Sequence, residues 1–266
     1  MTRTYVVTGS ASGIGAATAR LLRERGNVVL GVDLHDADIE ADLSTPDGRA
    51  AAAAGATEHA GGTVDAVISC AGIALPIAKT VSVNFFGMTG FVTNMLPALR
   101  KSSAPRAVLV SSMASLHPNS AELVEAALSG DEAKALAIAE GLAADEVTGN
   151  LIYASTKRAI SRWVRRVSVS EDWAGSGIPL NAVGPGIVLT PMTADLRSDP
   201  ASVEMVNQMV PMPLHYHQPP ESIAYLLIWL ASEENTHMAG QTIYCDGGSD
   251  AVLRGDDIWS KYELAF

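Results

Sequence analysis

The sequence predicts an α/β fold, a single doubly wound parallel sheet with helices on both faces. Three observations carry this. Short β-rich runs alternate with helix-like segments along the 266 residues. Those runs are near-continuously apolar, as strands buried on both faces must be. No internal repeat or Pro/Ser-rich linker divides the chain, so one domain over residues 1–266 is expected, and 48% hydrophobic against 18% charged residues suits one sizeable core.

In chain order, TYVVTG (4–9) is a β-branched run closed by glycine, and ASGIGAATARLLRERG (11–26) follows as a helix with a glycine stop. NVVLGVDL (27–34) is a second strand ending near Asp33. VDAVISCAG (64–72) and RAVLVSS (106–112) are further strands, and between them VSVNFFG (81–87) is an apolar helical stretch holding Asn84. Two segments interrupt the alternation. Within 116–149, AELVEAALSGDEAKALAIAEGL reads as helical hairpin material broken at Ser129-Gly130, a helical insertion just ahead of the helix that carries NLIYASTK (150–157). After the strand PLNAVGPG (179–186), the Pro- and Met-rich segment 190–217 lies beyond a strand's carboxyl end, the edge where open α/β sheets bind ligands. QTIYCDGG (241–248) supplies the last strand.

Gly9, Gly13 and Gly15 fall between a strand and a helix. Glycine there permits a tight turn and close backbone approach, while the helix N-terminus offers free N–H groups and a positive dipole end to a pyrophosphate. Asp33 ends the next strand, where a carboxylate accepts hydrogen bonds from ribose hydroxyls. A 2′-phosphate would meet it as a like charge, and the glycine loop has no Arg or Lys to compensate, so NAD is favoured over NADP.

Tyr153 and Lys157 share a helix face by their i, i+4 spacing. Abstracting a hydroxyl proton as hydride leaves carbon needs a base beside a hydride acceptor. A phenol with a pKa near 10 must be lowered by about 2 to 3 units, roughly 3 to 4 kcal/mol, to serve. An ammonium some 4 to 5 Å away supplies about that at an effective dielectric near 20. A solvated Tyr/Lys pair on an exposed face would show the same spacing.

Composition excludes other classes. A formal charge of −11 argues against a nucleic-acid partner, and Arg158, Arg162, Arg165 and Arg166 read as one helix face. No apolar run approaches the roughly 18 to 20 residues that span a bilayer, and the opening MTRTYVVTGS reaches glycine too soon for a secretory segment, so a cytoplasmic protein with no membrane partner is expected. Cys70 and Cys245 each end an apolar run, as packed thiols rather than a disulfide framework. His117, His215 and His217 lack converging carboxylates, so no metal is expected. Met192, Leu196, Met205, Met209 and Met212 suit either an adaptable apolar pocket or a surface helix packed on the sheet. Leu123, Leu128, Leu136, Ile138 and Leu142 require the insertion to be covered from water.

Taken in order, TGSASGIG, Asp33, CAG (70–72), Asn84, Ser112, YASTK (153–157), NAVGPG (181–186) and DGG (246–248) resemble the short-chain dehydrogenase/reductase family across nearly the whole chain. The resemblance implies a Rossmann-like fold, an NAD-dependent alcohol dehydrogenase/carbonyl reductase, and Tyr153 as general acid/base. It implies that Ser112 bonds the substrate oxygen, that Lys157 holds the nicotinamide ribose and lowers the tyrosine pKa, and that Asn84 supports a water relay to the lysine. It further implies that Gly9, Ser10, Ala11, Ser12, Gly13 and Ile14 wrap the pyrophosphate, that Asp42 and Leu43 border the adenine, that Gly72 lies on the adenosine side, and that Ile187, Val188 and Thr190 lie near the carboxamide. Segment 190–217 would then be the substrate lid.

Two departures stand out. SCAG replaces the family's usual NNAG, putting Cys70 where an Asn would brace the sheet, and the 41 residues from Ser112 to Tyr153 far exceed the usual spacing. With DLHDADIEADLST and PALRK, that insertion is similar to the subgroup of bacterial 3α-hydroxysteroid dehydrogenase/carbonyl reductases and the related coniferyl- and terpene-alcohol dehydrogenases. The expected substrate is a hydrophobic secondary or aryl alcohol, or the matching ketone. The alternatives are a terpene-alcohol, coniferyl-alcohol or diol dehydrogenase of the same family, or an inactive nucleotide-binding scaffold. A homodimer or homotetramer is expected, with the insertion lying on the helix that opens at Tyr153 and altering assembly.

Overall fold

The computed structural model describes residues 2–259. Seven strands, β1 (Thr4–Thr8), β2 (Val28–Asp33), β3 (Ile39–Glu40), β4 (Ala66–Ser69), β5 (Arg106–Val110), β6 (Leu180–Pro185) and β7 (Thr242–Cys245), form one sheet in the order β3-β2-β1-β4-β5-β6-β7. Every pairing is parallel, with Val6 opposite Leu30 on one side and Val67 on the other. Six strands coincide with runs legible in the sequence. The seventh, β3, is two residues pairing Val32 with Ile39, too short to leave a hydrophobic pattern.

The helices in chain order are α1 (Gly13–Glu24), α2 (Pro46–His59), α3 (Lys79–Val81), α4 (Met88–Asn94), α5 (Leu96–Leu99), α6 (Ala121–Leu128), α7 (Glu132–Ala143), α8 (Glu146–Gly149), α9 (Leu151–Val167), α10 (Pro200–Met209), α11 (Pro220–Leu230) and α12 (Ser249–Arg254). α1 and α11 pack together on one face of the sheet; α2, α4 and α9 cover the other. Strands β4, β5 and β6 are buried along their whole length, which requires both layers. α3 and α4 join through a π-helical turn at Ser82–Gly87, a departure from the regular helix the sequence suggested. Such turns shift the helix face by inserting a residue into the bond ladder.

The insertion is built against α9. Leu123 and Val124 of α6 are buried, and Leu136, Ile138 and Leu142 of α7 pack against the core edge. Its breaks follow capping chemistry: Ser120 accepts from Leu123 N, Asp131 from Lys134 N, and Gly130 takes the left-handed φ of +79° between α6 and α7. The basic face of α9 meets it. Arg162 pairs with Glu125 at 2.5 Å and Arg166 donates to Leu128 O, while Arg158 donates to Ser115 O just ahead of the insertion; all four arginines of this face remain solvent-exposed. The short α8, capped by Asp145, was not legible in the sequence.

The packing of α6 on α9 has a measurable consequence. Leu123→Ala should destabilise the fold by about 2 to 5 kcal/mol, the cost of emptying a fully buried leucine site, read from the urea midpoint. A decorative insertion would leave the midpoint unmoved.

Candidate active site

The site lies at the carboxyl ends of β1 and β4, where the strand order reverses. At one end is the turn from β1 into α1. Gly9 has φ +68°, and a Cβ there would fall 2.8 Å from Ala71 N; a Cβ at Gly15 would fall 2.0 Å from the Gly9 carbonyl oxygen. Neither position admits another residue without rebuilding the turn. Cys70 N and Ala71 N both donate to Thr8 Oγ1 at 3.1 Å, so the Thr8 hydroxyl braces β1 to the end of β4.

Asp33 accepts from Ala11 N (2.9 Å) and Leu34 N (2.7 Å), which leaves its carboxylate, with about four lone-pair sites, room for further donors. Beside it, Asp42 accepts from Ser44 N and pairs with Lys79 at 3.4 Å; the Ser44 hydrogen bond first, and then the Lys79 charge, hold its carboxyl below the usual range.

At the other end, α9 is fastened to the end of β5. Lys157 Nζ donates to Val110 O at 2.9 Å, and Ser111 Oγ donates to Lys157 O at 3.0 Å and lies 2.8 Å from Ser161 Oγ. Ser112, the next residue, faces the cleft. Its Oγ accepts from Ala114 N at 3.1 Å, and its hydroxyl is turned toward Tyr153 in the cleft. Tyr153 lines the same wall, with the Lys157 ammonium 5.6 Å from its ring centroid.

The cleft joining the two ends encloses about 260 Å³. Of the residues singled out in the sequence, Gly9, Ser12, Gly13, Ile14, Asp33, Asp42, Leu43, Gly72, Ser112, Tyr153, Lys157, Val188 and Thr190 line it. Four expected residues do not. Ser10 packs over Gly31, and Ala11 contributes its amide to Asp33. Ile187 turns into a small separate cluster with Met113, Val206 and Val210. Asn84 is fully buried behind the wall, on the π-helical turn, with its amide committed to Ile73 N, Ile73 O and Thr156 Oγ1. It holds the backbone that follows Gly72, whose Cβ position would lie 3.2 Å from Asn84 Oδ1 and 3.7 Å from Lys157 Nζ.

The methionine-rich segment is divided in the same way. Met192 lines the cleft, Met205 and Met209 are exposed on α10, and Met212 underlies Ile187. The segment's two ends are pinned by a parallel bridge between Val188 and Gln218, and His117 bonds Met209 O at 3.0 Å. Lys79, Val83, Pro185 and Gly186 line the cleft as well. The last two belong to the PGIVLT run, but no sequence signal marked Lys79 or Val83.

Charge in the site departs from the expectation drawn from spacing. Burial pushes the Tyr153 hydroxyl above its ordinary value, opposed by a hydrogen bond with Ser112 rather than by Lys157. Burial pulls the Lys157 ammonium down to about 8, with Cys70 opposing, and pushes the Cys70 thiol up to about 12. In the chain by itself the lysine donates to the Val110 carbonyl, and burial is the larger influence on the phenol. Among the described residues no group of three or more His, Cys, Asp or Glu could hold a metal, and no helix is long and apolar enough to cross a membrane.

Comparison with known proteins agrees with this layout. A family model described as short chain dehydrogenase matches residues 3–127, and one described as Enoyl-(Acyl carrier protein) reductase matches 121–250. The chain is 38% identical to the 3-alpha-hydroxysteroid dehydrogenase/carbonyl reductase of Comamonas testosteroni over 94% of its own length and 97% of that protein. The chain belongs to the short-chain dehydrogenase/reductase family. It is also 30% identical to cis-4-hydroxycyclohexanecarboxylate dehydrogenase of Sinomonas cyclohexanicum, covering 94% of this chain and 97% of that one. Among solved structures it superposes on the 3-alpha-hydroxysteroid dehydrogenase from Pseudomonas sp. B-0831 complexed with NADH, with a TM-score of 0.88 and 38% identity over 96% of this chain and all of that one. As a member of this family the protein is an NAD(P)-dependent oxidoreductase. The close glycine turn and the unsaturated Asp33 carboxylate fit such a dinucleotide.

The buried lysine makes stability pH-dependent. An unfolded Lys157 titrates near 10.5 and the native one near 8, so between those values the unfolded chain binds the extra proton. The cost of holding the charge is full below about pH 8 and is relieved as pH rises, so unfolding free energy should increase across that window. Lys157→Met should remove this increase, measured by urea unfolding of both proteins from neutral pH upward.

Proposed function

We propose that the protein oxidises a hydrophobic secondary or aryl alcohol to the carbonyl compound, and catalyses the reverse reduction, with NAD(H). The observation that carries this is the convergence of Ser112, Tyr153 and Lys157 at one end of a cleft whose other end holds the glycine turn and Asp33. When bound, nicotinamide supplies the hydride acceptor or donor, and its oxidised ring adds a positive charge favouring ionised phenol.

The chain's own groups then divide the work. Tyr153 takes the alcohol proton at its phenolic oxygen and returns it in the reverse direction. Ser112, whose oxygen already accepts from Ala114 N, donates its one proton to the substrate oxygen and so fixes which lone pair faces Tyr153. Lys157 uses one of its three donors on Val110 O, leaving two for the nicotinamide ribose hydroxyls. Asn84 acts by holding Ile73 and thus the wall behind Gly72. At the far end the amide of Ala11 orients the Asp33 carboxylate toward the adenosine ribose, and a 2′-phosphate would be repelled there.

For the substrate, the two relatives reported above are named for alcohols on alicyclic rings, a steroid and a cyclohexane. Met192 at the cleft mouth, flexible and apolar, suits a surface of that shape.

The test is the absorbance of reduced nicotinamide, followed with each cofactor and a panel of steroid, terpene and aryl alcohols. Tyr153→Phe should reduce turnover by about 10² to 10⁴, the usual contribution of a positioned proton-transfer group, with dinucleotide binding retained. Turnover near wild type would remove Tyr153 from its role. Asp33→Ala should raise NADP use relative to NAD by at least about tenfold, the loss of roughly 1.4 kcal/mol of discrimination; an unchanged ratio would show that Asp33 does not select the cofactor.

A further inference from the structure

The insertion reaches beyond the catalytic helix. Glu132, at the start of α7, forms a bidentate pair with Arg49 of α2, with Nη1 to Oε2 at 2.9 Å and Nη2 to Oε1 at 2.5 Å. The guanidinium is 8% exposed and its partner 24%, which sets this pair apart from the chain's exposed ones. Arg49 Nε donates to Leu43 O at 2.9 Å, and Nη2 to Ser44 O at 3.0 Å. Its stem runs under α4, where a Cβ at Gly90 would fall 2.9 Å from Arg49 Cδ, and its charge lies 5.9 Å from the Phe86 ring centroid.

We propose that Arg49 and Glu132 are a positioning pair through which the insertion sets the affinity of the cleft for the adenosine half of the dinucleotide. The inference rests on the reading of this cleft as a dinucleotide site. Leu43 and Asp42 line the cleft; Arg49 holds the carbonyls of Leu43 and Ser44 from behind, and Asp42 is tied to Ser44 N. The turn is already tight, since a Cβ at Gly48 would fall 2.0 Å from Asp42 O. Glu132 is the counter-charge that lets a guanidinium stay buried against those carbonyls. Without it, the cation is better solvated by swinging toward water, which releases both carbonyls and the wall of the adenine end. The contact lies 83 residues away in sequence, at the start of the second helix of the insertion.

The experiment measures binding of ADP-ribose by calorimetry, binding of NADH by fluorescence, and kcat and KM for NAD, in the wild type, Glu132→Gln and Arg49→Lys. Glu125→Gln, which breaks the exposed pair with Arg162, is the control for general loosening of the insertion. Glu132→Gln and Arg49→Lys should weaken ADP-ribose binding and raise the KM for NAD by roughly 3- to 30-fold, the range of coupling carried by packed contacts, with kcat at saturating NAD within about twofold. Glu125→Gln should leave both ligands' affinities unchanged. ADP-ribose affinity unaltered in Glu132→Gln, whatever its melting temperature, overturns the proposal, as does an equal loss in Glu125→Gln. A wild type that fails to bind ADP-ribose defeats the dinucleotide reading itself, and this inference with it.

Discussion

The ammonium of Lys157, buried in the cleft wall and held by the Val110 carbonyl, ties α9 to the end of β5. Ser111 reinforces the joint from the other side by donating to Lys157 O and meeting Ser161. Ser111 commits its hydroxyl to this fastening, while Ser112 presents its own to the cleft beside Tyr153 on α9. The placement of Ser112, Tyr153 and Lys157 in one wall of the cleft thus rests on one helix-to-strand joint.

The same burial sets the electrostatics. Desolvation disfavours charge on both members of the pair, raising the phenol and lowering the ammonium, so in the chain by itself the proton stays on Tyr153. An i, i+4 spacing brings a cation near a phenol, but the sign of the outcome depends on what surrounds both. Here the lysine's partner is the Val110 carbonyl, and the titratable group that opposes its desolvation, Cys70, is a weak acid pushed further from ionising. A charged nicotinamide would shift that balance toward the ionised phenol.

The insertion shows how one added segment acts at two places. Through α6 it covers α9, and through Glu132 it reaches Arg49 and the Leu43–Ser44 turn at the other end of the cleft. An element added between strand and helix therefore touches the backing of both halves of the site without contributing a side chain to the cleft lining described above.

The sequence by itself determined the sheet, the order of its motifs and most of the cleft. Short apolar runs rich in β-branched residues and closed by glycine fit strands buried on both faces, and glycines whose missing side chains make room for a neighbouring backbone leave a pattern that spacing reveals. It also marked Asp33, Ser112, Tyr153 and Lys157, whose chemistry is local to a strand end or a helix turn. What only the tertiary structure decided were matters of direction and partner: that Asn84 sits on a π-helical turn and faces Ile73, that Ile187 points away, that Met192 alone among the five residues singled out in that segment lines the cleft, and that Arg49 meets Glu132. These depend on long-range packing, and a side chain's orientation across such a contact carries no periodicity along the chain for a reader of the sequence to find.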